Sequence, residues 1–240
     1  MKALSIGTTA LFSVAGLVGC SEPQQESAQD VVESARGTVE AATEDIRQAS
    51  QAFLDEAREA TDDLGQKFDD LEARYATTTD EAAGEWESTR AELAEARQDL
   101  EADLTRMRAA TGAEAEALRG EIADDIQGLT ERVAHARLAA AENGEEFVAA
   151  SRAQLTEIDE DIRNLQAETA LMSEGARAGV SDAISELRFE ADHLEETVSS
   201  IAGAGEVEVS EVRDDVAQAI ASLTASVRRE WLEIRNTTTQ

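Results

Sequence analysis

Apolar residues recur along most of this chain at intervals of three and four positions, which places them on one face of a helix. Three stretches show the pattern most clearly. In the first stretch they are Ala35, Val39, Ala42, Ile46, Ala49, Phe53, Ala57, Ala60, Leu64, Phe68, Leu71 and Tyr75. In the second they are Leu118, Ile122, Ile126, Leu129, Val133, Ala136 and Ala140. In the third they are Val209, Val212, Val216, Ile220, Leu223, Val227, Trp231 and Ile234. No stretch alternates with a period of two, so the pattern predicts an all-α protein.

The helical region is expected to cover residues 27–236, followed by a polar tail at 237–240. Glycine, threonine and asparagine predict soft breaks in it. These breaks lie near residues 76–84, 110–113, 142–145, 173–181 and 202–206. An amphipathic helix must pack its apolar face to be stable. The sequence therefore leaves two architectures open, an elongated coiled coil or antiparallel helical hairpins forming a bundle. The spacing of Thr111 and Glu114 also predicts a capping box at one helix start.

The steps in the first stretch often run four, four, three, which is an eleven-residue repeat. In this respect the body resembles apolipoprotein A/E-like and late-embryogenesis-abundant amphipathic helical proteins. That resemblance rests on period and composition, and it carries over no functional residue.

The N-terminal segment differs from the rest of the chain. Lys2 is followed by an apolar run that ends at Val18, and the next charged residue is Glu22. A positive start followed by an apolar run shorter than a membrane span is typical of a secretory signal peptide. We therefore expect residues 1–19 to be a cleaved signal, and residues 20–26 to form a polar tether before the first helix.

The segment ends Leu17-Val18-Gly19-Cys20, which resembles the lipobox of bacterial lipoproteins. The resemblance implies cleavage before Cys20 and attachment of several acyl chains, palmitate among them, to that cysteine. Several chains together anchor a protein stably. Cys20 is the only cysteine, so an internal disulfide is excluded. Because Ser21, not aspartate, follows the cysteine, Gram-negative sorting rules imply the outer membrane, facing the periplasm.

The chain carries a formal net charge of −31 over 240 residues, with 42% hydrophobic and 3% aromatic residues. This charge argues against nucleic acid as a partner, because binding it relies on Lys and Arg. Two explanations of the acidity stay open. It is either an adaptation to a salty environment, where salt screens self-repulsion, or a match to a cationic partner.

The strongest enzymatic signal is Glu190-x-x-His193, a spacing used in di-iron helical bundles. Such sites need two of these motifs, and His135 has Arg132 three positions before it, so the second motif is missing. We therefore interpret Glu190 and His193 as surface residues, and we expect no metal site, no cofactor and no catalytic residue.

Six pairs of adjacent acids are interpreted as solvated helix faces. They are Asp62-Asp63, Asp69-Asp70, Asp124-Asp125, Glu145-Glu146, Glu195-Glu196 and Asp214-Asp215. Trp86 and Trp231 could anchor a partner, since tryptophan is enriched at binding hot spots. Packing on the apolar stripe is the favoured interpretation, because Trp231 is in phase with it.

These features favour a non-catalytic, lipid-anchored helical protein of the cell envelope that acts as a spacer, scaffold or protein-interaction module. The expected partners are the membrane, through the lipid on Cys20, and a protein or second copy, through the apolar stripes. The alternative is an amphipathic module that opens to bind lipids or unfolding clients, as apolipoprotein-like or stress-protective proteins do.

Overall fold

The structure is a computed structural model that describes residues 22–76, 80–202 and 206–238. Nearly all of these residues are helical, and no strand is present in the described ranges. The six helices are α1 (Glu22–Tyr75), α2 (Asp80–Met107), α3 (Ala113–Ala139), α4 (Gly144–Ala170), α5 (Glu174–Ile201) and α6 (Glu206–Thr238). The prediction of an all-α protein is confirmed.

The chain divides into two compact units, Met1–Glu44 and Asp45–Gln240. In the first unit the described backbone is the helical segment 22–44 of α1. The side chains of Ala35, Val39 and Ala42 in the predicted stripe lie outside the described residues, as do those of Ile46 and Ala49 in the second unit.

The second unit is a folded-back helical bundle built around two clusters of buried apolar side chains. The first apolar cluster joins α1, α2 and α3, and also includes Leu232 of α6. The second apolar cluster joins α4, α5 and α6, and also includes Leu138 of α3. Helix α3 packs against α6, α2 and α4, so it connects the two groups of three helices. Of the two architectures that the sequence left open, the bundle is the one present in this unit.

The predicted stripes form much of this core. Every listed residue from Leu118 to Ala140 is buried, and Ile122 and Ile126 have no exposed surface. In the third stretch Val212 and Trp231 are partly buried, and the other six residues are buried. Full burial of one large aliphatic side chain stabilises a fold by about 1.5–3 kcal/mol. The apolar stripes of α3 and α6 therefore face the bundle interior.

The helices extend further than the sequence predicted at several points. Residues 22–26, expected to form a tether, belong to α1, and the tail residues 237 and 238 belong to α6. Pro23 is tolerated because a helix's first turn has no partner for its N–H groups. The segments between helices overlap the five predicted breaks, but α2 continues through Gly84 and α5 through Gly175 and Gly179. One helical glycine costs only about 1 kcal/mol relative to alanine, which packing of the helix offsets.

The start of α3 differs from the predicted capping box. Gly112, not Thr111, is the N-cap residue, and no side chain caps this helix. Gly112 has φ 58° and ψ −132°, a conformation that favours glycine over residues with a Cβ. The capping-box prediction was wrong because the chain turns at Gly112, one residue after the threonine.

Two side chains stabilise the turn between α3 and α4. Asn143 caps α4, and its Oδ1 accepts a hydrogen bond from the Glu146 N–H at 3.0 Å. From α6, Arg213 donates hydrogen bonds to the carbonyl oxygens of Leu138, Ala139 and Ala141. Its guanidinium also lies 5.3 Å from the centre of the Phe147 ring. Arg213 thus supplies donors to carbonyls at and just after the end of α3, where the regular helical N–H donors run out.

Candidate functional site

The predicted lipidation site, Cys20, and the residues Leu17, Val18 and Gly19 lie outside the described residues. The signal peptide and the lipid anchor therefore stay predictions. No helix in the described ranges is both long and apolar enough to span a bilayer.

Glu190 and His193 lie exposed on α5, facing solvent instead of a bundle interior. Within the part of the chain that the structure describes, no three His, Cys, Asp or Glu side chains are grouped as metal ligands. The interpretation of Glu190 and His193 as surface residues agrees with this placement.

Both tryptophans belong to the apolar clusters. Trp86 is buried, and its ring stacks on that of Tyr75 with centroids 4.6 Å apart and an angle of 2° between the planes. The other neighbouring ring, Phe68, lies 5.7 Å away in a tilted arrangement. The Tyr75 hydroxyl donates to the carbonyl oxygen of Ala136 at 3.3 Å, which ties α1 to α3. Trp231 packs against the second apolar cluster. Packing, rather than exposure to a partner, explains both residues.

A group of charged residues lies where α1, α3, α4 and α6 meet, and we call it the junction cluster. It consists of Asp63, Lys67, Arg137, Glu157, Asp161 and Arg228. Three of these side chains are acidic and three are basic, so the cluster is balanced within a very acidic protein. Lys67 is the only lysine after Lys2.

At the junction cluster, ion pairs connect α1 to α6 and α3 to α4. The Asp63 carboxylate accepts hydrogen bonds from Lys67 on its own helix at 3.1 Å and from Arg228 of α6 at 2.9 Å. Arg137 of α3 donates two hydrogen bonds to the Glu157 carboxylate of α4, each at 2.9 Å. Bidentate arginine–carboxylate pairs are geometrically specific. These pairs therefore favour one register of α1 against α6 and of α3 against α4.

The junction cluster perturbs the acidity of two carboxyl groups in opposite directions. The hydrogen bonds from Arg137 lower the pKa of Glu157, although burial partly opposes them. Burial raises the pKa of Asp161, and the positive charges of Arg228 and Lys67 only partly offset this. Among the described residues, Asp161 is the member of the cluster that forms no ion pair or hydrogen bond.

Beneath the charged residues lies a small cavity of about 20 Å³, the inner cavity. Gln154 of α4, which is 3% exposed, lines it. The Gln154 Nε2 donates to the carbonyl oxygen of Ala134 at 3.1 Å, but its Oε1 has no hydrogen-bond partner. Thr130 and Thr224 also line the cavity, and their hydroxyls donate to the carbonyl oxygens of Ile126 and Ile220.

An open depression of about 450 Å³, the outer groove, adjoins the inner cavity. The two share all six residues of the junction cluster. Asp70 and Glu160 are among the residues that line only the groove. Small-molecule sites are clefts of about 300–1,000 Å³ lined mostly by apolar side chains, so the outer groove has the size of such a site but not its apolar lining.

The sequence did not predict the junction cluster. Asp63 and Lys67 have the acid-before-base spacing of a helical ion pair, and Lys67 stands out as a sole lysine, so part of the signal was present. Arg137, Glu157 and Arg228 carry no such signal, because their relationship depends on which helices pack together.

No family model, no curated protein and no solved structure matches this chain.

Proposed function

We propose that this protein is a lipid-anchored helical lipoprotein of the cell envelope, held on a membrane through Cys20, with a helical bundle that acts as a scaffold or protein-interaction module. The observation that carries the proposal is the sequence Leu17-Val18-Gly19-Cys20 at the end of a signal-like segment. The proposed location is the outer membrane, facing the periplasm, and no reaction is assigned to the chain.

The packing of the bundle supports a role in interaction over one in covering lipids. The stripes that would bind a lipid surface are buried against one another within the second unit. In the described part of the chain, Leu171 and Phe189 are the large apolar side chains that are mostly exposed. The remaining surface is rich in acids, which disfavours anionic lipid and favours a cationic partner.

Metabolic labelling with radioactive palmitate in a Gram-negative host tests the anchor. The wild-type chain is expected to take up label and to sediment with the membranes. Cys20→Ser is expected to lose the label and to leave the membrane fraction, because the thiol that would carry lipid is gone. Ser21→Ala is the matched control, and it should keep both the label and the membrane fraction.

Two results would contradict the proposal. One is labelling that persists in Cys20→Ser, which would place the lipid elsewhere. The other is an unlabelled wild-type chain, which would remove the anchor altogether.

A further inference from the structure

The outer face of α3 forms the floor of an open groove between α2 and α6. Helix α3 packs against both of these helices, which do not pack against each other in the described residues. We call this depression the α3 groove, and its volume is about 600 Å³. Glu92 of α2 and Gln218 of α6 belong to its walls. Its floor includes Gly128, Glu131, Arg132, His135 and Ala139. Small-molecule sites are clefts of about 300–1,000 Å³, so the α3 groove has the size of one.

Two polar side chains on this floor are without a partner in the described part of the chain. Arg132 is exposed and His135 is half-buried, and neither forms an ion pair or a hydrogen bond with a described residue. Because they are three positions apart on one helix, they are neighbours on the same face. A guanidinium and a ring nitrogen of an imidazole can both donate to one carboxylate. The floor therefore offers donors for an acidic group.

A carboxylate is held in place beside these donors. The Oε1 atom of Glu131 accepts hydrogen bonds from the Gln218 Nε2 at 2.5 Å and from the Ser222 hydroxyl at 3.1 Å, so α6 fixes its position. The Oε2 atom takes part in neither bond. Glu92 adds a second carboxylate from the wall of α2. An oriented carboxylate with a free oxygen can accept a charge-assisted hydrogen bond from an ammonium group.

The combination of charges selects a zwitterion. An organic anion would be repelled by Glu92 and Glu131, and by a chain whose net charge is −31. A ligand with positive charge only would meet Arg132 as a like charge. A zwitterion gives each of these groups a partner of opposite sign. Because it has no net charge, the overall field of the protein does not oppose its binding.

The length of the floor indicates the size of that zwitterion. Gly128 and Ala139 are eleven residues apart, which corresponds to about 16 Å along the axis of α3. An extended chain of three residues spans at most about 11 Å, so a peptide of that length fits along the floor. Ala136 and the narrow exposed edges of Tyr75 and Trp86 also line the groove, and they suit small apolar side chains.

We propose that the α3 groove binds a short peptide of about three residues with apolar side chains and free ends. The peptide carboxylate accepts from Arg132 and His135, and the peptide ammonium group donates to Glu131. The inference goes beyond the lipoprotein function and does not depend on it. Loss of acylation and loss of peptide binding are therefore separate results.

Isothermal titration of the purified full chain carrying Cys20→Ser with the tripeptide Ala-Leu-Ala tests the proposal. Amidating the carboxyl end or acetylating the amino end should each weaken binding about tenfold, because each removes a hydrogen bond between charged groups. Arg132→Gln should weaken binding of the free peptide about tenfold, and amidation should then have little further effect. Arg108→Gln is the matched control, since Arg108 is also exposed and without an ion pair among the described residues but lies outside the groove. It should keep the affinity of the parent chain.

A second pair of variants tests the location of the site. A Cβ at Gly128 or at Gly120 meets no atom within 4 Å, and both glycines lie inside α3. Leucine is a better helix former than glycine, so neither substitution should unfold the bundle. Gly128→Leu places a side chain on the floor of the groove and should abolish peptide binding. Gly120→Leu, outside the groove, should leave binding unchanged.

Three results would overturn the proposal. Absence of binding of Ala-Leu-Ala to the parent chain would mean that the groove holds solvent only. Equal affinity for the peptide blocked at both ends would mean that the groove accepts an internal chain segment and does not recognise free ends. Equal effects of Gly120→Leu and Gly128→Leu would place the binding elsewhere on the protein.

Discussion

Replacing a glycine by alanine should change the free energy of unfolding in opposite directions at the start of α3 and inside it. Gly112 precedes the helix with φ 58°, whereas Gly120 and Gly128 lie inside it. A Cβ built at any of the three meets no atom within 4 Å. Steric crowding is therefore excluded at all three positions, and the backbone conformation alone decides the sign of the effect.

The magnitudes follow from the conformations. Alanine in the conformation of Gly112 is strained by about 1–3 kcal/mol, and the stiffer unfolded chain offsets about 0.4–1 kcal/mol of this. Gly112→Ala should therefore lower the free energy of unfolding, by up to about 2.6 kcal/mol. Gly120→Ala and Gly128→Ala should each raise it by about 0.8–1 kcal/mol, the difference in helix propensity. In a domain of this size, each kcal/mol shifts Tm by about 2–4 °C.

Urea unfolding followed by far-UV circular dichroism measures these changes, and an unchanged m value shows that the midpoint shifts report stability. Gly179→Ala in α5 is a matched control, because the space around it is equally open. A stabilising Gly112→Ala would refute the positive φ of Gly112 before α3. A destabilising Gly120→Ala or Gly128→Ala would refute the helical, unobstructed environment at those positions.

Other perturbations address the core, the junction cluster and the alternative function. Trp86→Ala should lower the free energy of unfolding by about 3–5 kcal/mol, whereas Phe189→Ala, at a side chain 73% exposed, should change it by less than about 0.5 kcal/mol. The hydrogen bonds from Arg137 lower the pKa of Glu157 in the folded state. The ionised Glu157 carboxylate therefore contributes its full stabilisation above the pKa that Glu157 has in the unfolded chain. This stabilisation is lost as pH falls through the pKa that Glu157 has in the folded protein. Glu157→Gln should be less stable than wild type at neutral pH and converge with it in acid. Burial raises the pKa of Asp161, so its ionisation costs stability above the folded pKa. Asp161→Asn should therefore be more stable at neutral pH, a difference that disappears in acid, and urea unfolding at stepped pH measures both variants. Neutral lipid vesicles should not raise the helix signal in circular dichroism, because nearly all of the described residues already lie in the six helices. A large gain would favour the lipid-binding alternative.

The three- and four-residue spacing of apolar residues predicted most of the side chains that form the core. Residues such as Ile122 and Ile220 are fully buried, as their place in the stripes predicts. The period identifies the face of each helix that packs, but it does not identify the helix against which that face packs. The contact of α3 with α6 brings together residues about a hundred positions apart, and nothing in either stripe encodes that pairing.

The junction cluster illustrates the same limit for polar residues. The pair of Asp63 and Lys67 follows from spacing on one helix, but Arg228, which shares the Asp63 carboxylate, is 165 positions away. The orphan oxygen of Gln154 depends on the carbonyl of Ala134 on another helix. Such sites arise from tertiary packing, so a single sequence does not reveal them.

The central claim is that the apolar stripes of the second unit pack against one another within one chain. A distance measurement by electron spin resonance between labels on α1 and α6 tests it most directly. The labels would replace Asp62 and Arg229, the exposed neighbours of Asp63 and Arg228, in the full chain carrying Cys20→Ser. Folding back predicts one short, well-defined distance that persists after dilution with unlabelled chain. A continuous helix would separate the two positions by about 250 Å, so the absence of measurable coupling would contradict the bundle. A short distance that is lost on dilution would also contradict it, because the stripes would then pack between chains.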